Sequence, residues 1–111
     1  MCVFCDIVEG KIPSSKVYED ENYLAFKDIN PKAPVHILII PKKHIGYLSE
    51  VDESNKHIIG DMAVIANKIA KDLGIAESGY RIVINNGPDS GQEVFHLHMH
   101  LLGGKKMSFS V

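Results

Sequence analysis

Residues 96–100 read His-Leu-His-Met-His, which places three of the chain's six histidines at spacing i, i+2, i+4. On an extended strand such positions share one face, with successive side chains about 6.5–7 Å apart. Imidazole titrates near neutral pH, moves protons, attacks phosphorus or carbonyl centres and ligates metals. The intervening Leu97, Met99 and Leu101 leave the opposite face free to pack into a core. Three readings compete: a histidine-bearing surface strand with no task, a metal site, and a nucleophilic centre. The metal reading rests on His-x-His being common ligand geometry on a strand. In the nucleophilic reading one imidazole attacks while the others orient it and handle protons.

Two further segments bear on that choice. Asn85-Asn86-Gly87-Pro88-Asp89-Ser90-Gly91-Gln92 stands immediately upstream and offers amides, a hydroxyl and main-chain N–H groups. Glycines let backbone approach a ligand closely, and such N–H groups suit oxyanions such as phosphate. A plain turn would read the same way. Cys2 and Cys5 form a Cys-x-x-Cys, half of a zinc-binding pattern. The other two ligands would have to be histidines, drawn from His36, His44, His57 and the triad. A redox dithiol is the alternative, although nothing nearby resembles a βαβ unit.

The elements that must position these residues are readable from pattern. Residues 3–9 form a short helical turn ending at Gly10. Val17-Tyr18 and Tyr23–Phe26 read as strands joined by the polar turn 19–22. Val35–Ile40 reads as a buried strand closed by Pro41. One long helix begins between Asp52 and Lys56, with Ile58, Met62, Ile65, Ala66, Ile69, Ala70 and Leu73 as its apolar stripe and Gly74 as its stop. Tyr80–Ile84 is a further strand, and Phe95–Leu102 is the histidine strand. The predicted class is α+β: an antiparallel sheet of about five strands with one long helix and a short N-terminal helix.

The chain has 111 residues, enough for a single domain (1–111) with a modest core. Its net charge of −2 argues against a nucleic-acid-coating surface. No apolar run approaches the ~20 residues that span a bilayer, and no secretory signal is visible. A cytoplasmic protein without nucleic-acid or membrane partners is expected.

With these residues in view, the sequence resembles the histidine triad (HIT) family. His96-Leu97-His98-Met99-His100-Leu101-Leu102 matches its motif, and the likeness extends through Phe4–Ile7, Ala25–Ile29, Pro34–Ile45, Gly79–Arg81 and Gly91–His96. The ending Leu101–Gly104 with Met107 is similar to the nucleotide-binding (HINT) branch. The Cys-x-x-Cys start resembles bacterial members. That resemblance implies a HIT-like fold, a homodimer with the long helix and one strand at its interface, and a purine nucleotide ligand. It also implies hydrolysis of nucleoside 5'-phosphoramidates at the α-phosphorus. Cleavage of dinucleoside polyphosphates, or nucleotide binding with no catalytic purpose, are the alternatives.

Carried over residue by residue, His98 would be the nucleophile forming a nucleotidyl-histidine, its Nδ1–H held by a main-chain carbonyl. His100 and His36 would contact phosphate and manage protons, one of them as a cation. Asn85, Gln92, Glu93 and Val94 match phosphate-contacting positions. Asp28 matches the carboxylate that holds the ribose hydroxyls. Val3, Phe4, Ile7, Phe26 and Ile29 match the apolar walls of the purine site. Cys2, Cys5, His44 and His96 match a structural zinc site in bacterial relatives. Two departures stand out: Glu93 replaces a serine thought to assist the leaving group, and Phe109 stands near a tryptophan position.

Overall fold

In the computed structural model, which describes residues 2–108, the most apolar strand is central. Val35–Pro41 (β3) is buried along nearly its whole length because both of its faces are covered. Around it lie Lys16–Glu19 (β1), Tyr23–Lys27 (β2), Tyr80–Val83 (β4) and Met99–Gly103 (β5). They form one antiparallel sheet in the order β1-β2-β3-β5-β4.

Strand alternation divides the sheet's side chains between two cores. Ala25, Ile37, Ile39, Leu97, Met99 and Leu101 pack beneath the long helix His57–Asp72 (α2). Of α2, the stripe Ile58, Met62, Ile65, Ala66, Ile69 and Ala70 is buried, as the three-and-four spacing predicts. The helix stops at Gly74, whose φ of +76° is the left-handed conformation that glycine adopts without strain. The opposite face carries Leu24, Phe26, Leu38 and Ile40, capped by Phe4 and Ile7 from the short helix Val3–Val8 (α1).

The histidine strand is shorter than its pattern predicts. Phe95–His98 lie outside the ladder, which starts at Met99 opposite Ile39. Continuing that register would set residue 97 against Pro41, which has no N–H to donate. The Pro41 carbonyl instead accepts from His96 Nε2 at 2.7 Å. Leu97 stays in the α2-side core and His98 is buried, so inward-outward alternation outlasts the ladder. Phe109 lies outside the described residues.

Candidate functional site

His36 sits opposite Leu102, and Leu38 opposite His100, so the two histidines are diagonal neighbours on the α1-side face. His36 Nε2 and His100 Nδ1 are 2.9 Å apart. The tautomers follow from one fixed donor. The Lys32 main-chain N–H donates to His36 Nδ1 at 3.0 Å, so in a neutral His36 the proton is on Nε2. That N–H donates to His100 Nδ1, which leaves His100 with its own proton on Nε2. His100 Nε2–H has no partner among the described residues.

His98 is oriented the other way. Its Nδ1–H donates to the His96 carbonyl at 2.7 Å, which leaves the Nε2 lone pair without a partner among the described residues. The residue is 7% exposed and its ring is held edge-on by Phe4, with centroids 5.2 Å apart. His100 lies 5.0 Å away, centroid to centroid. The arrangement therefore presents one bare imidazole nitrogen beside one imidazole N–H.

Burial pushes the His100 pKa down to about 4, reinforced by the positive charge that His98 and His36 would carry. His36 is also lowered, mainly by burial and against the attraction of Asp28. Both rings are therefore neutral at pH 7 in the free chain. In the free chain His100 therefore presents a neutral N–H, and a cation at this position would have to form with an anion bound.

Asp28 directly follows β2 and opens the turn after it. Its Oδ1 accepts from the Asn30 N–H, and its Oδ2 lies 3.4 Å from His36 Nε2. Phe4, Ile7 and Phe26 are buried together in the α1-side core. Val3 is 42% exposed at the start of α1. Ile29 is 92% exposed, so it forms no wall in the free chain.

The loop before the triad differs from a row of free N–H groups. The N–H groups of Gly87, Ser90, Gly91 and Gln92 are all engaged within the loop. Those of Glu93 and Val94 have no partner among the described residues, and the Glu93 side chain is exposed. Gln92 is 5% exposed and turned inward, each of its polar atoms bonded to main chain. Asn85 is half-buried two residues beyond β4, whereas Asn86 accepts from the Ser49 N–H.

At the other end of the triad, His96 is fully buried and donates Nε2–H to the Pro41 carbonyl. Its Nδ1 lone pair faces Cys2 Sγ at 3.3 Å and Cys5 Sγ at 3.6 Å. His44 Nδ1 lies 3.3 Å from Cys5 Sγ. A tetrahedral zinc with ordinary bond lengths would set sulfur and nitrogen ligands about 3.6 Å apart. All four donor atoms lie within 4.8 Å of one another, so Cys2, Cys5, His44 and His96 form a group able to hold a metal ion. Burial and the neighbouring Cys2 raise the Cys5 thiol to about 11, so metal uptake would have to displace a proton. A cleft of about 670 Å³ runs beside this group, lined in part by Val3, Lys11, Val94 and Phe95. His57 is exposed at the first position of α2 and joins neither cluster.

Asp28, His36 and His100 also cluster within 4.8 Å. Here the outer hydrogen bond argues against a metal. A metal on His36 Nε2 would require a proton on Nδ1, where the Lys32 N–H already donates.

Comparison with known proteins agrees with the fold and the motif. The HIT domain family model matches residues 9–107. An uncharacterized HIT-like protein of Buchnera aphidicola is 50% identical, the match covering 97% of this chain and 98% of that protein. Among solved structures, a HIT family hydrolase from Clostridium thermocellum is 56% identical with a TM-score of 0.96, covering 99% and 96% of the two chains. A histidine triad nucleotide-binding protein from Candida albicans is 32% identical with a TM-score of 0.82, covering 100% and 86%. The chain belongs to the HIT domain family. No helix among the described residues is long and apolar enough to cross a membrane.

Proposed function

We propose that this chain is a purine nucleotide-binding hydrolase that cleaves nucleoside 5'-phosphoramidates through a covalent His98 adduct. The observation that carries the reading is the tautomer of His98: the His96 carbonyl holds the Nδ1 proton and leaves the Nε2 lone pair bare. Attack of Nε2 on the α-phosphorus forms a P–N bond to His98 and breaks the P–N bond to the amine. The departing nitrogen accepts a hydrogen bond from His100 Nε2–H and takes its proton from solvent. Water then attacks phosphorus, the bond to His98 breaks, and the water proton returns to solvent. The hydrogen bond from His36 to His100 Nδ1 fixes which nitrogen of His100 bears the proton. Splitting the displacement replaces one hard step by two easier ones.

In this reading the Glu93 and Val94 N–H groups, with Asn85, hold the phosphate. Asp28 accepts from the ribose, and Val3, Phe4, Ile7, Phe26 and Ile29 adjoin the purine. Cys2, Cys5, His44 and His96 would hold zinc as a closed structural site, which pins α1 beside the histidine segment. The exposed Ile82 on edge strand β4 and the exposed Val64 on α2 support a homodimer across these two elements. Sedimentation velocity of wild type and Ile82→Lys checks this, with a dimer expected only for the former. A cytoplasmic location fits the reduced cysteine pair.

The test is turnover of an AMP-amine conjugate against diadenosine polyphosphate. Faster cleavage of the first, with a nucleotidyl adduct trapped on His98 by acid-free mass spectrometry, is expected. Preference for the polyphosphate would move the chain to that branch, and AMP binding with neither cleavage would leave a binding module.

A further inference from the structure

Gln92 carries an arrangement that direct ligand contact does not explain. Its Oε1 accepts from the Gly87 N–H at 2.7 Å, and its Nε2 donates to the carbonyls of Gly46 and Val94 at 3.0 and 3.1 Å. The amide orientation is unambiguous, because the oxygen faces a donor and the nitrogen faces two acceptors. One side chain thereby ties the glycine loop and the approach to the triad, which adjoin in sequence, to the distant turn after β3. Gly87 needs the brace most. Its φ of +85° is a conformation that only glycine adopts freely. Its carbonyl meanwhile accepts from the Ser90 hydroxyl and from the N–H groups of Ser90 and Gln92.

We infer that Gln92 is a positioning residue for phosphate, holding the unpartnered Glu93 and Val94 N–H groups in place while its own side chain stays away from the ligand. This rests on the nucleotide reading of the site. Removing the amide leaves the buried Gly87 N–H and the partly buried Gly46 and Val94 carbonyls without that partner, and those groups would then rotate toward water. Phosphate recognition is what that rotation would cost. The purine walls, supplied by α1 and β2, would remain.

The experiment compares wild type, Gln92→Met and Gln92→Glu. Glutamate keeps the shape and the acceptor for Gly87 but loses both donors, and it serves if the methionine variant fails to fold. AMP and adenosine binding are measured by calorimetry, and amide hydrogen exchange at Gly87 and Gly91 is followed without ligand. Expected are an AMP affinity at least about tenfold weaker, adenosine affinity within about twofold of wild type, and faster exchange in the free protein. Unchanged exchange with weakened AMP binding would show direct contact and overturn the inference. AMP affinity within about twofold of wild type despite faster exchange would overturn it as well. Equal losses for AMP and adenosine would reduce the role to general stability. A wild type that binds no AMP would instead overturn the nucleotide reading itself, and this inference with it.

Discussion

The two ends of the histidine segment use the same side chain for opposite purposes. At one end His96 donates Nε2–H to the Pro41 carbonyl and turns an Nδ1 lone pair toward two thiols. At the other end a main-chain N–H donates to His36, so His36 and then His100 must present protons. Both ends gather three or more ligand-type atoms within 4.8 Å. Proximity does not separate metal chemistry from proton chemistry here; the outer hydrogen-bond partner of each imidazole does.

The sharpest way to break this comparison is to remove His98. His98→Ala is expected to lower phosphoramidate turnover by about 10³-fold or more and abolish the adduct, while zinc content by atomic absorption stays at the wild-type level. Loss of zinc in that variant would mean that the two ends are one site. Removing the other end should reverse the pattern. Cys2→Ser with Cys5→Ser is expected to lose bound zinc and about 4 kcal/mol of stability at a free metal concentration a thousandfold above Kd. Denaturant melts with and without chelator would measure it.

A smaller effect is expected from His36→Leu, which keeps bulk but removes the donor to His100. We expect kcat to fall about 10²-fold with zinc content unchanged. A change confined to KM would assign His36 to binding alone.

The smallest effect is on stability as a function of pH. His100 is held at about 4 when folded, against 6.5 as the ordinary value, and His36 is lowered in the same direction. Between those limits the unfolded chain binds protons that the folded chain refuses. Stability should therefore fall as pH drops from about 6.5 toward about 4, and be insensitive to these groups above that window. Urea titrations of metal-free protein at about pH 7.5 and about pH 5 check the sign. His100→Gln should flatten the difference.

Much of this was legible in residue types. The alternation at 96–100, the stripe from Ile58 to Ala70 and the buried run at Val35 all report which side chains must avoid water, which is a local property. The early end of the ladder was not legible, because it depends on which residue faces Pro41 across the sheet. The neutral state of His100 depends on burial by residues far away in sequence. Gln92 shows the limit most clearly. A glutamine beside a phosphate-binding candidate reads as a ligand contact, and only its position between Gly87, Gly46 and Val94 shows its amide facing inward. The exposure of Ile29 was equally illegible, since an apolar residue stands in solvent in the free chain.

The His96 carbonyl has a consequence for genetics. The proton that keeps His98 in its reactive form is held by a peptide oxygen, which every amino acid at position 96 would supply. An alanine scan would register His96 only through its imidazole and would score the position as metal-binding. Substitution by cysteine would change the donor set to three sulfurs and one nitrogen while leaving that oxygen in the chain. The site's most direct control over the proposed nucleophile is thus written in the path of the backbone, where point mutation reaches it only by moving the chain.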